Sequence, residues 1–133
     1  MAERVYCLYR GKNQESILMQ KNACHDFAEK KGWNIVGEEQ EIDVSGYKVS
    51  ADTCDKLQRI REAAERGEFD IFLVFMYDRL GRNLNETPFI AKWFTKKGIH
   101  VWSVYEGEII DGVDAERMLD YIRFWQTDEA QKL

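Results

Sequence analysis

The stretch FDIFLVFMYDRLGR, residues 69–82, decides how the chain folds. Its first part, 69–77, is almost continuously apolar, which is typical of a central strand covered by other elements on both faces. The chain then presents Asp78, Arg79 and Arg82 without any intervening linker. A buried strand that runs straight into charged side chains indicates a site at the rim of a sheet.

Strand and helix patterns alternate along the chain. Apolar or aromatic-rich runs predict strands at 4–9, 33–42, 69–77 and 99–105. Apolar residues at helical spacing, bounded by caps and glycines, predict helices at 16–31, 51–66, 87–98 and 113–133. This alternation predicts an α/β domain of three layers, with a central, mostly parallel sheet of four or five strands flanked by helices.

Composition limits the possible functions. A chain of 133 residues suits one domain with one core, and its formal net charge of -5 argues against general binding of polyanions. Any contact with nucleic acid must therefore depend on a local basic site or on a separate domain. The three cysteines lack zinc-ligand spacing, and no signal peptide or membrane-length apolar run is present, which predicts a cytoplasmic protein with reduced thiols.

The charged residues after the apolar strand are expected to meet others at one edge of the sheet. Ligands of parallel sheets gather beyond the carboxyl ends of the strands, which brings together Arg10, the loop 43–50 and residues 78–82. Arg79 and Arg82 are three residues apart, so both project from one face if the chain turns helically.

Three arginines at one rim suit a dianion or a phosphodiester, because each guanidinium offers a rigid fork of donors. Asp78 among them is either an ion-pair partner or a proton donor. A surface cluster of salt bridges explains the same residues without any ligand, so composition alone leaves both interpretations open.

The sequence also resembles a known family, the catalytic domain of the serine recombinases of the resolvase and invertase group. It is most similar to the large recombinases of phages and conjugative elements. The matching pieces are Tyr9-Arg10 closing the first strand, Gln20 in the first helix, DVSG at 43–46 and DRLGR at 78–82. Because the segments TPFIAKWFTKKGIHVWSVYEGE and YIRFWQ are similar too, the resemblance covers nearly the whole chain.

The resemblance implies a site-specific DNA recombinase of mobile elements, which acts in DNA integration or strand exchange. In that family a serine attacks the scissile phosphate, a covalent phosphoserine link forms, and the ends are rejoined without a metal or a high-energy cofactor. By resemblance, Arg10, Arg79 and Arg82 bind the phosphate, and Asp78 is the acid or a positioning group. The residues implied to support the site structurally are Gln20, Asp43, Ser45 and Gly46.

Two positions depart from the family pattern. The nucleophile belongs two residues after the arginine of the first strand, where this chain has Lys12, and the nearest serine is Ser16. Ser16 can serve as the nucleophile if its loop is mobile, or it can simply cap the first helix. An arginine that contacts the phosphate in the family is matched by Cys54.

Three hypotheses follow from these departures. The chain is a recombinase that uses Ser16 or a serine missing from this sequence, or it is a catalytically silent dimerisation module that keeps the arginine pocket. An unrelated α/β phosphate-binding domain fits less well, since the resemblance is so long.

The resemblance also implies a domain organisation. Residues 1–133 are expected to be an N-terminal catalytic domain, with 113–133 as the start of a long dimerisation helix and with no DNA-binding domain in this chain. The expected partners are DNA, contacted with the help of a separate DNA-binding domain, and further copies of the chain. Those copies form a homodimer and a tetramer in synapsis, with no membrane involved.

Overall fold

The computed structural model describes residues 3–42, 55–77 and 87–109. The strands are β1 Arg4–Gly11, β2 Asn34–Ile42, β3 Ile71–Val74, β4 His100–Ser103 and β5 Gly107–Ile109. The helices are α1 Gln14–Lys31, α2 Asp55–Glu65 and α3 Thr87–Lys96. The five strands form one sheet in the order β2-β1-β3-β4-β5, in which β5 alone is antiparallel to its neighbour. The predicted α/β fold with a mostly parallel central sheet is confirmed.

The side chains of β1 divide between two hydrophobic cores. Val5, Cys7 and Tyr9 belong to the core under α1. Leu8 belongs to the core under α2 and α3, and Tyr6 packs against that core. Since successive side chains of a strand point to opposite faces, β1 separates the α1 face of the sheet from the α2 face.

The central strand is shorter than its apolar run. All four residues of β3, Ile71–Val74, are buried, as predicted for a strand covered on both faces. The prediction of 69–77 was too long, because Phe69 and Tyr77 are buried in the core without extending the strand. An apolar run indicates that residues are buried, and here buried residues continue beyond both ends of the paired strand.

Two further elements differ from the sequence prediction. Strand β5 was not predicted, because three residues are too few to show a period. Helix α1 begins at Gln14 rather than at residue 16, and Ser16 is not its cap. Asn13 is the cap: its backbone is extended, and its Oδ1 accepts a hydrogen bond from the Ser16 amide at 2.8 Å.

Several predicted site residues lie outside the described residues. They are Asp43, Ser45, Gly46, Cys54, Asp78, Arg79 and Arg82, together with the predicted helix 113–133. Within 3–42, 55–77 and 87–109, no helix is both long enough and apolar enough to cross a membrane.

Candidate functional site at the carboxyl edge of the sheet

The carboxyl ends of β2, β1 and β3 lie side by side, because these strands are neighbours in the sheet and run parallel. This edge holds Arg10 on β1, and the chain leaves it after Ile42 and after Tyr77. The predicted site segments, 43–50 and 78–82, start within a few residues of the same edge. The strand order brings together the strand ends from which these segments continue, and the grouping of the site residues stays a prediction.

Arg10 is almost completely buried, with 4% of its surface exposed. It lies opposite Glu41 in the register of β1 and β2, and its Nη2 is 3.9 Å from Glu41 Oε2. Glu41 is itself only 12% exposed, so the two charges face each other largely away from water. Removing one partner of such a pair is costly, because the other charge stays buried. The ion pair therefore contributes to holding the guanidinium at this edge of the sheet.

Sequence reasoning missed Glu41. The stretch EEQEI looks like an acidic, fraying strand end, but β2 continues to Ile42 with alternating exposure. The signal was the period of two, which turns Glu39 and Glu41 to the same face. That Glu41 opposes Arg10 becomes visible only once the register is known.

Gln20 holds the backbone of Arg10. β1 pairs with β3 only from Val5 to Leu8, so the backbone groups of Arg10 need another partner on that side. Gln20 is fully buried; its Oε1 accepts from the Arg10 amide at 3.1 Å, and its Nε2 donates to the Arg10 carbonyl at 2.8 Å. The side chain thus replaces a strand where the sheet runs out.

Ser16 belongs to the same hydrogen-bond network. Its Oγ accepts from Gln20 Nε2 at 3.2 Å, and the residue is half-buried. A Cβ added at Gly11 would lie 2.6 Å from Ser16 Oγ, so the hydroxyl rests directly on the Gly11 backbone. Lys12, at the usual nucleophile position of the family, is exposed.

Ser16 and the Arg10 guanidinium lie on opposite faces of β1. Gly11 shares the orientation of Tyr9, which belongs to the core under α1, and Ser16 sits over Gly11. Arg10 shares the orientation of Leu8, which belongs to the core under α2 and α3. The structure brings Ser16 and Gln20 to the backbone of Arg10, but it does not bring the hydroxyl to the guanidinium.

A second polar network lies on the α1 face of β1. It involves Tyr9, one residue before Arg10. The Tyr9 hydroxyl donates to Glu38 Oε2 at 2.6 Å, and His25 Nε2 lies 2.7 Å from the same oxygen. Burial acts to raise the pKa of Glu38, but the hydrogen bonds from Tyr9 and His25 outweigh it and lower that pKa. Burial raises the pKa of Tyr9, which therefore stays a neutral donor. Glu38 thus joins β2 to both β1 and α1.

The β3 side of the edge is held by the hairpin between β4 and β5. Tyr77 is buried, and its hydroxyl donates to the Gly107 carbonyl. Its amide donates to Glu106 Oε1 at 3.4 Å, and the same oxygen accepts from the buried Ser103 hydroxyl at 2.6 Å. These contacts fix the last described residue before Asp78.

Comparison with known proteins shows which family and which solved structures this chain is similar to. The family described as "Resolvase, N terminal domain" matches residues 10–129. No protein of curated function matches the chain significantly. The N-terminal catalytic domain of TP901-1 integrase is 26% identical, with a TM-score of 0.73 over 93% of this chain and 96% of that one.

Two further solved structures share the fold at lower identity. A resolvase family site-specific recombinase from Streptococcus pneumoniae is 20% identical, with a TM-score of 0.72 over 97% of this chain and 91% of that one. The C-terminal catalytic domain of ISC1926 TnpA, an IS607-like serine recombinase, is 22% identical, with a TM-score of 0.66 over 91% of this chain and 79% of that one.

Proposed function

Since the chain belongs to the resolvase N-terminal domain family, we propose that it is the catalytic domain of a serine-type site-specific DNA recombinase. It cuts and rejoins DNA through a phosphoserine intermediate. The observation that carries the proposal is the placement of Arg10. Its guanidinium is buried at the carboxyl end of β1, beside the strand whose continuation is the Asp78–Arg82 segment.

The proposed chemistry uses this edge of the sheet. Arg10, Arg79 and Arg82 bind the nonbridging oxygens of the scissile phosphate and stabilise the charge that develops on them. Ser16 attacks phosphorus and gives its hydroxyl proton to solvent water as the Oγ–P bond forms. The P–O bond to the 3′ oxygen of the broken strand breaks, and that oxygen leaves with a proton from Asp78. Rejoining reverses these steps, so the bond energy is kept and no metal or cofactor is required.

Ser16 must cross from the α1 face to the phosphate for this reaction. The move breaks the Asn13 cap and the hydrogen bond from Gln20. Each of these contacts stabilises the resting state by about 1 kcal/mol, so the rearrangement costs roughly 2 kcal/mol. Binding energy from contacts elsewhere along the DNA can supply that amount.

One observation favours a second candidate function. Lys12 occupies the usual nucleophile position, and the Ser16 hydroxyl faces away from Arg10. A chain in which Ser16 never crosses is a catalytically silent recombinase-like module that dimerises and retains the arginine pocket.

The proposal includes partners and location. We propose that the 133 residues form one catalytic domain, that residues 113–133 begin the dimerisation helix, and that dimers pair into a tetramer on DNA. The net charge of -5 favours a separate DNA-binding domain as the source of affinity. Such a protein acts in the cytoplasm, where its DNA substrate is present.

A covalent-trapping experiment tests the proposal. The protein is incubated with a library of duplexes that carry a randomised crossover and a nearby nick, so that the cleaved strand end diffuses away. We expect a protein–DNA adduct that survives detergent and disappears in Ser16→Ala.

This sequence has four serines, Ser16, Ser45, Ser50 and Ser103, so four alanine variants test each of them as the nucleophile. If the adduct persists in Ser16→Ala, another residue is the nucleophile, and the other three alanine variants identify which serine it is. Wild-type protein that binds the library DNA as an oligomer and yields no adduct supports the silent module and contradicts the enzymatic proposal.

A further inference from the structure

The hairpin between β4 and β5 is fastened to the chain that leaves β3. Beyond the last paired residues of the two strands, the Val104 amide donates to the Val74 carbonyl at 3.0 Å, and the Tyr105 amide donates to the Phe75 carbonyl at 3.2 Å. Successive residues of the hairpin therefore pair with successive residues of the chain as it leaves β3 towards Tyr77.

A carboxylate completes this series. Glu106 Oε1 accepts from the Tyr77 amide at 3.4 Å, the position where the strand ladder has ended. Ser103 holds the Glu106 carboxylate in place. The Ser103 hydroxyl donates to the same oxygen at 2.6 Å and accepts from the Glu106 amide at 2.7 Å. Ser103 is fully buried, so this arrangement is preorganised rather than shared with water.

Tyr77 immediately precedes Asp78 in the sequence. A hydrogen bond at the Tyr77 amide therefore holds the residue from which the segment with Asp78, Arg79 and Arg82 continues. At 3.4 Å the contact is at the long end of hydrogen-bond distances, and the charge of the carboxylate acceptor adds to its strength. A displacement of about 1 Å in a catalytic group can lower a rate about 100-fold.

We infer that Glu106 is a positioning residue for the Asp78–Arg82 segment, acting through the Tyr77 amide. The inference rests on the proposed function for its effect on DNA cleavage. In this role Glu106 acts on the segment through Tyr77 and is not itself a catalytic residue. Its contact with Tyr77 is a structural statement that can be tested without any DNA.

A graded set of variants separates positioning from simple stabilisation of the hairpin. Glu106→Ala removes the acceptor, and Glu106→Gln keeps an uncharged acceptor in nearly the same place. The matched control is Glu108→Ala: Glu108 lies on β5 of the same hairpin and pairs with His100 at 2.7 Å instead of with Tyr77.

The first measurement is amide hydrogen exchange at Tyr77, resolved by NMR on the protein without DNA. We expect exchange to be fastest in Glu106→Ala, intermediate in Glu106→Gln, and unchanged from wild type in Glu108→Ala. Unchanged exchange in a folded Glu106 variant overturns the inference. If Glu106→Ala fails to fold, Glu106→Gln decides alone.

The second measurement is the rate of adduct formation at saturating library DNA, with DNA affinity measured separately by fluorescence anisotropy. We expect the rate to fall about 100-fold in Glu106→Ala and about tenfold in Glu106→Gln, while affinity stays the same. An equal loss in Glu108→Ala reduces the role of Glu106 to hairpin stability and overturns the inference. If wild type gives no adduct, the proposed function fails, and the exchange at Tyr77 still decides whether Glu106 holds the segment.

Discussion

The two faces of β1 at its carboxyl end are built from different chemistry. On the α1 face, Gln20 and Ser16 form a neutral hydrogen-bond network over Gly11. On the α2 face, Arg10 and Glu41 form a largely buried ion pair. Neutral hydrogen bonds cost about 1 kcal/mol each to break, whereas separating a buried pair costs about 3 to 5 kcal/mol. Under the proposed function, the comparison predicts that the Arg10 side stays fixed and that Ser16 is the group that moves.

The largest effect is expected at the fixed side. Arg10→Ala should lower the rate of adduct formation by about 100- to 1000-fold, because a preorganised donor to the phosphate is lost. It should also lower the free energy of unfolding by about 3 kcal/mol, since Glu41 loses its ion-pair partner. Urea denaturation and the trapping assay measure the two effects.

A double variant separates these two consequences. Arg10→Met with Glu41→Leu removes both charges and should recover most of the free energy of unfolding without recovering cleavage. If the double variant cleaves DNA at the wild-type rate, Arg10 has no part in binding the phosphate.

The next effect concerns Gln20, which holds the backbone of Arg10. Gln20→Leu removes the partners of the Arg10 amide and carbonyl, so the free energy of unfolding should fall by about 2 to 5 kcal/mol. The same substitution at the exposed Gln40 is the control and should change it by less than about 0.5 kcal/mol. Equal losses at the two positions would show that Gln20 contributes only as a generic polar residue.

A smaller effect is expected where Ser16 rests on the backbone. In Gly11→Ala the added Cβ would lie 2.6 Å from Ser16 Oγ and 2.9 Å from Ser16 Cβ. The crowding should cost about 1 to 3 kcal/mol of unfolding free energy. Ser16→Gly in the same chain removes the clashing atoms and should restore most of the loss in a double-mutant cycle. No coupling between the two positions would place Ser16 elsewhere than on Gly11.

The smallest effect is a pH dependence on the α1 face. The pKa of Glu38 is lowered in the folded protein, so its contribution to stability is present above the ordinary glutamate pKa of about 4.5 and is lost as the pH falls through the lower folded value. The melting temperature of wild type should therefore decline more steeply below pH 4.5 than that of Glu38→Gln. Parallel curves would contradict the assigned hydrogen bonds from Tyr9 and His25.

Much of the fold could be predicted from the sequence because burial leaves a local pattern. The four residues of β3 lie inside a continuous apolar run, and helix α3 starts at the predicted Thr87-Pro88 pair. Strand β5 gave no such signal, since its three residues pair in a hairpin that depends on β4.

The site was less predictable because its contacts are not local. Arg10 was named from the strand ends and Gln20 from the family pattern, but the partner Glu41 is set by the register between β1 and β2. The cap of α1 was assigned to Ser16 although Asn13 is an equally good capping residue three positions earlier. The sequence alone does not say which face of β1 the Ser16 hydroxyl takes, and that face determines how far it must travel.

The most direct test of the account is to identify the residue that carries the DNA. The trapped adduct is digested with nuclease and trypsin, and the peptide bearing the remaining phosphate is sequenced by mass spectrometry. Cleavage after Lys12 and Lys21 releases NQESILMQK, in which Ser16 is the only hydroxyl residue. The account predicts the phosphate on this peptide, at Ser16. A phosphate on a peptide that contains Ser45, Ser50 or Ser103 would contradict it.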